Sequence, residues 1–169
     1  MNKTAYGFTL IELMISLIIA AILMTVGLPM FSDFMQQIRL SIAANDLRHA
    51  LALTRSEAIK RNGKADLVAI ENDWKNGWVI KTPDNTFVMT HEPLHKDIKI
   101  SAIFTDQQQH IAYNESGHSQ TDTNNKAPQS GHIQLSSGPH SRIISVNFLG
   151  QVKLCNPASN KACSTTAPE

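Results

Sequence analysis

From residue 8 to residue 30 the chain is apolar at nearly every position and carries one charge, Glu12. A run of that length meets the roughly 20 residues that an α-helix needs to cross the hydrocarbon layer of a bilayer. Gly27 and Pro29 interrupt the run, and Pro29 removes a backbone donor and crowds the preceding turn, so a kink or a local melting point is expected there. Beyond it, Ala43, Leu47, Ala50, Leu51, Thr54 and Ala58 recur at three- and four-residue spacing, which predicts an amphipathic helix with one covered face. Lys60-Arg61-Asn62-Gly63 is a helix stop: cations suit the C-terminal dipole and glycine suits a left-handed cap. One helix is therefore expected over residues 8–62, about 80 Å long at roughly 1.5 Å per residue. Downstream the period changes to two. Short alternating segments at 65–71, 77–82, 86–90, 98–103, 132–136, 143–148 and 151–155 are separated by turn residues such as Asn76-Gly77 and Gly138-Pro139. The fold class is α+β, with an antiparallel sheet packed on the helix. Residues 105–131 are rich in Gln, Asn, Ser, Thr and His, and most of that stretch is expected to be a mobile surface loop.

Charge changes the picture at two places. A carboxylate inside a membrane-length helix costs on the order of 2.5 kcal/mol or more, so Glu12 calls for a cationic partner, and none lies nearby in sequence. The segment before the apolar run, residues 1–7, holds one positive charge, Lys3, and no apolar core. A secretory signal would be cleaved after its greasy segment, not before it.

Gly7-Phe8-Thr9-Leu10-Ile11-Glu12-Leu13 resembles the start of a type IV prepilin. The resemblance implies a leader at 1–7, cleavage after Gly7 by a prepilin peptidase, and methylation of the new N-terminal Phe8. It places Glu12 fifth in the mature chain, where the carboxylate meets the N-terminal ammonium of a neighbouring subunit. It also implies a helix that spans the inner membrane at 8–30, an amphipathic periplasmic half at 31–62, and a globular β-rich domain at 63–169. In pilin-like proteins a proline at the place of Pro29 lets the helix extend during assembly. The segment 51–62, Leu-Ala-Leu-Thr-Arg-Ser-Glu-Ala-Ile-Lys-Arg-Asn, followed by Trp74-Lys75-Asn76-Gly77-Trp78-Val79, resembles the GspH/FimT/FimU family of minor pilins and H-type pseudopilins. That implies a subunit which primes or caps assembly of a type IV pilus or of a type II secretion pseudopilus. Its partners would be other minor pilins or pseudopilins and the major pilin.

Composition fits such a subunit. The 169 residues leave about a hundred for the domain beyond the helix, enough for one small domain. The chain has 15 Lys and Arg against 14 Asp and Glu, and loss of Lys3 with the leader brings the two to parity, so mean charge predicts no polyanion partner. Cys155 and Cys163 lie in a stretch that would sit outside the inner membrane, where oxidation is favoured, and one disulfide is expected.

DNA binding is the alternative function. Some DNA-uptake members of the family carry Gly-Arg-x-Arg near the C-terminus. Here the corresponding residues are Gly150-Gln151-Val152-Lys153, with one cation where two arginines would stand. Arg142, Lys153 and Lys161 are the candidates for a basic patch, weighed against three scattered charges that only solvate the domain. On the helix, Arg39, Arg48, Arg55, Lys60 and Arg61 alternate with Asp33, Asp46 and Glu57 and read as a solvated face.

No nucleophile elbow, phosphate loop or dinucleotide fingerprint occurs, and no cofactor is expected. His91-Glu92-Pro93-Leu94-His95 matches the H-E-x-x-H letters of zinc proteases, but Pro93 opposes the helix that chemistry needs, and the histidines read as loop residues. The two tryptophans around Asn76-Gly77 suggest an aromatic hairpin, or else a rigid packing corner.

Overall fold

The computed structural model describes residues 7–121, 126–159 and 163. The chain divides into two compact units, Met1–Met35 and Gln36–Glu169. One helix, α1 (Leu10–Lys60), supplies nearly all of the first unit and enters the second.

Thr9 starts α1. Its carbonyl accepts from the Leu13 N–H at 3.2 Å, and its hydroxyl accepts from the Glu12 N–H at 3.3 Å. That is the hydroxyl half of a Thr-x-x-Glu capping box, a signal present in Thr9-Leu10-Ile11-Glu12 but not used above. The helix continues across Gly27 and Pro29. A proline removes one backbone bond, and the bonds on either side carry the helix through. At the other end the Asn62 N–H bonds the Ile59 carbonyl at 3.1 Å and the Gly63 N–H bonds the Ala58 carbonyl at 3.0 Å, a Schellman closure. The left-handed residue is Asn62 (φ 47°), not Gly63.

Among the described residues of the second unit, nine antiparallel strands follow: β1 (Ala65–Ala69), β2 (Trp78–Lys81), β3 (Phe87–His91), β4 (Lys99–Phe104), β5 (His110–Tyr113), β6 (Ser119–Gln120), β7 (Gly131–Ser137), β8 (His140–Val146) and β9 (Val152–Cys155). They form a five-stranded sheet in the order β3-β2-β1-β5-β6 and a four-stranded sheet in the order β4-β7-β8-β9. Leu40, Ala44, Leu47, Ala50, Leu51 and Ala58 of α1 are fully buried in one core with Leu67, Trp78, Ile80, Ile111, Ile133, Leu135 and Ile144 of the strands. The Thr54 hydroxyl, buried on the same face, donates to the Ala50 carbonyl at 2.7 Å, so the stripe admits a polar residue without an unmet group.

One sequence expectation is sharpened here and one corrected. Residues 105–131 contain two short strands, β5 and β6, within a stretch whose other described residues are mostly turn and irregular backbone. Their polar residues bond to the fold itself: the buried Gln129 amide accepts from the Ala112 N–H (3.2 Å) and donates to Asp106 (3.0 Å) and to the His110 carbonyl (2.9 Å). The Ser119 hydroxyl bonds the carbonyls of Gln129 and Asn147. The two tryptophans do not flank a hairpin. Trp74–Asn76 is a single 3-10 turn capped by the Asp73 carboxylate, which accepts from the Lys75 N–H, and Trp78 opens β2. Gly77, at φ 95°, joins them, and a Cβ there would meet the His91 carbonyl oxygen at 2.1 Å, so the packing-corner reading holds.

Candidate functional site

In the first unit, Gly7 and Phe8 are exposed and precede α1, and Glu12 lies in its first turn. A carboxylate there is favoured by the helix dipole. Among the described residues no cation stands within ion-pair distance of Glu12, and its neighbours Leu10, Ile11, Leu13 and Met14 are exposed, as are the apolar side chains that continue to Met24. The helix is long and apolar enough to cross a membrane. Such a surface needs lipid or other helices around it. Glu12 lies five residues from Gly7, and its backbone N–H donates to the Thr9 hydroxyl.

In the second unit the charges of α1 are sorted by tertiary partners that the sequence does not reveal. Arg39 lies 3.5 Å from Asp97 and 3.2 Å from the His95 ring. Asp46 lies 3.5 Å from His91, whose ring stacks on Trp78 with centroids 4.0 Å apart. Glu57 accepts from the Arg61 guanidinium at 2.9 Å and is 3.7 Å from Lys60; the Arg61 hydrogen bond is the main reason its carboxyl titrates below the ordinary value. His91 thus belongs to β3 and not to a loop, and residues 91–95 form no helix.

Arg48 and Arg55 remain on the other flank of α1, and the Lys60 side chain reaches the groove that they line. Asp46 and Glu57 are each two residues from Arg48 and Arg55, which at about 100° per residue puts them about 200° around the helix. With Ala52, Ser56, Ile59, Gly150 and Val152 these cations line a groove of about 530 Å³. Gly150 closes the β8–β9 turn, where its N–H bonds the Asn147 carbonyl at 2.8 Å. Behind the groove the Tyr113 phenol is buried, which pushes its titration far up, and the charge of Arg55 pulls it the other way.

Of the expected basic patch, Arg142 and Lys153 are not brought together. Arg142, on β8, is turned toward α1, where it donates to the Ser41 hydroxyl at 3.2 Å and to the Ser141 carbonyl at 2.9 Å. Lys153, on β9, is paired with Ser145, and Leu154 with Ile144. Side chains alternate along a strand, so Lys153 points away from the face that holds Arg142 and Ile144. Lys161 lies outside the described residues. Cys155, at the end of β9, forms a disulfide with Cys163, as expected.

The family model described as "Type II transport protein GspH" matches residues 43–150, and that described as "Prokaryotic N-terminal methylation motif" matches residues 2–28. Among solved structures, the type IV minor pilin FimU of Pseudomonas aeruginosa is similar with a TM-score of 0.58 at 19% identity, over 80% of this chain and 97% of that one. The minor pseudopilin EpsH of Vibrio cholerae is similar with a TM-score of 0.51 at 16% identity, over 70% of this chain and 98% of that one. No curated protein matches the chain. With a methylation motif on an exposed apolar helix, a helix-on-sheet fold shared with a minor pilin and a pseudopilin, and a family match over more than half its length, this chain belongs to the GspH family of pilin-like structural subunits, which are not enzymes.

Proposed function

We propose that this chain is a minor pilin or pseudopilin that primes or caps assembly of a type IV pilus or type II secretion pseudopilus. A prepilin peptidase removes residues 1–7 and methylates Phe8, and the protein waits in the inner membrane with its domain in the periplasm. The observation that carries this reading is Glu12: one carboxylate on an otherwise uncharged, exposed apolar helix directly after a methylation motif. Moving such a helix from lipid into a bundle of like helices exchanges one apolar surrounding for another, so the hydrophobic effect hardly favours either state. Polar pairing decides instead. The Glu12 carboxylate meeting the methylated, still cationic amine of an adjoining subunit sets register and selects the partner.

The Thr9 cap offers a competing explanation for a glutamate at this position, and one substitution separates the two. Glu12→Gln keeps the residue type that a capping box accepts at its fourth position and removes only the charge. The variant is expected to insert in the membrane, to be processed, and to be absent from sheared filaments or pseudopili in immunoblots. Incorporation at the wild-type level would show that capping, and not charge pairing, accounts for Glu12. The DNA-receptor alternative draws no support from Arg142 and Lys153, which face opposite sides of their sheet.

A further inference from the structure

Three cations of α1 share a groove with no carboxylate among its described lining residues. Among the described residues, the polar contact of Arg48 is to the His49 ring at 3.5 Å and that of Lys60 is to Glu57 at 3.7 Å. Arg55 is the most constrained of the three. Its Nε is buried with no hydrogen-bond partner among the described residues. It is also held against the Gly117 turn so closely that a Cβ on Gly117 would lie 2.9 Å from that Nε. That packing fixes the guanidinium, and its charge is what an oxyanion in the groove would meet.

The remaining surface is apolar. Ala52, Ile59 and Val152 line the groove, and the adjoining turn exposes Phe148 and Leu149. A phosphodiester backbone is a ladder of charges that needs cations spread along a surface, together with base-stacking rings, and this lining holds no aromatic side chain. A carboxylate flanked by apolar side chains matches both halves of the groove. We infer that the groove between Arg48–Lys60 of α1 and the Gly150 turn binds an acidic, partly apolar peptide segment of a neighbouring subunit. The inference rests on the filament reading for the identity of that neighbour.

Two measurements test it on the full chain. In detergent micelles at low ionic strength, a fluorescent peptide of alternating glutamate and leucine is expected to bind, and Arg48→Gln with Lys60→Gln to weaken it about tenfold, the combined effect of losing two surface ion pairs. Arg48 is half-buried and Lys60 exposed, and the buried Arg55 Nε stays in place, so folding is preserved. No binding, or binding unchanged in the double variant, overturns the site. Tighter binding of a thymidine oligonucleotide that the same variant abolishes assigns the groove to nucleic acid and overturns the peptide. In cells, a photo-crosslinker at Ser56 is expected to capture an Asp- or Glu-bearing peptide of another pilin, and capture of a peptide without carboxylates refutes the inference. If the chain never enters filaments, the filament reading fails, and the micelle titration still decides whether the groove binds acidic peptide.

Discussion

Gly150→Ala probes the contact that closes the groove. Gly150 has φ +73°, a left-handed conformation that costs a side-chain-bearing residue about 1 kcal/mol or more. A Cβ there would fall 2.1 Å from the Gly117 carbonyl oxygen and 2.9 Å from the Tyr113 ring. The first obstacle is backbone in a turn fixed by the Gly117 N–H to Asn114 carbonyl bond (2.8 Å), and the second is a fully buried ring. Neither yields by a rotamer change, so overpacking adds about 1–3 kcal/mol. The expected total is about 3 kcal/mol, or a fall of about 10 °C in the thermal midpoint for a unit of this size. The assay is thermal unfolding of the unit Gln36–Glu169, followed by circular dichroism, with Gly63→Ala as the internal control. Gly63 has no positive φ, and its nearest obstacle is 3.7 Å away, so its substitution is expected to cost less than about 0.5 kcal/mol. Equal midpoints for the two variants would refute the claim that the two turns are in contact, and with it the geometry of the groove.

Leu47→Ala, at a fully buried position of the core, is expected to destabilise the same unit by about 2–5 kcal/mol in urea unfolding; a loss under about 1 kcal/mol would mean that the helix face is not covered. Asp84 is held down to about 2 by the Thr82 and Thr86 hydroxyls and the Thr86 N–H. A depressed carboxyl contributes stability that is present above its ordinary value of 3.8 and is lost as pH falls toward 2. Asp84→Asn is therefore expected to flatten the decline in urea midpoint between those values and to leave the difference between pH 5 and pH 7 unchanged. An acid limb identical to that of the parent would show that Asp84 is not bonded as described.

Much of the fold is legible in local pattern. The helix stripe from Ala43 to Ala58 and seven strands follow from periods of 3.6 and 2, because burial repeats with the backbone. The strands at 110–113 and 119–120 escape that logic. Polar composition predicts solvation, whereas Gln129 and Ser119 spend their hydrogen bonds inside the fold, and only tertiary structure shows which polar residue does so. The same holds for the cations of α1. Arg39 and Asp46 find partners around Asp97 and His91, about fifty residues away in sequence, while Arg48 and Arg55 do not. The sequence presents all of them as one alternating series. The capping signal Thr9-x-x-Glu12 is legible in the chain, because a cap is local and needs no tertiary partner.

Four inward positions of α1 hold alanine: 43, 44, 50 and 58, each no more than 5% exposed. A methyl group is all that α1 contributes to the core at these points, which leaves room there for the bulky strand side chains that share it, Trp78 and Ile80 among them. Enlarging any of the four would crowd residues far away in sequence and cost stability by overpacking. The outward face of the helix carries no such limit on side-chain volume.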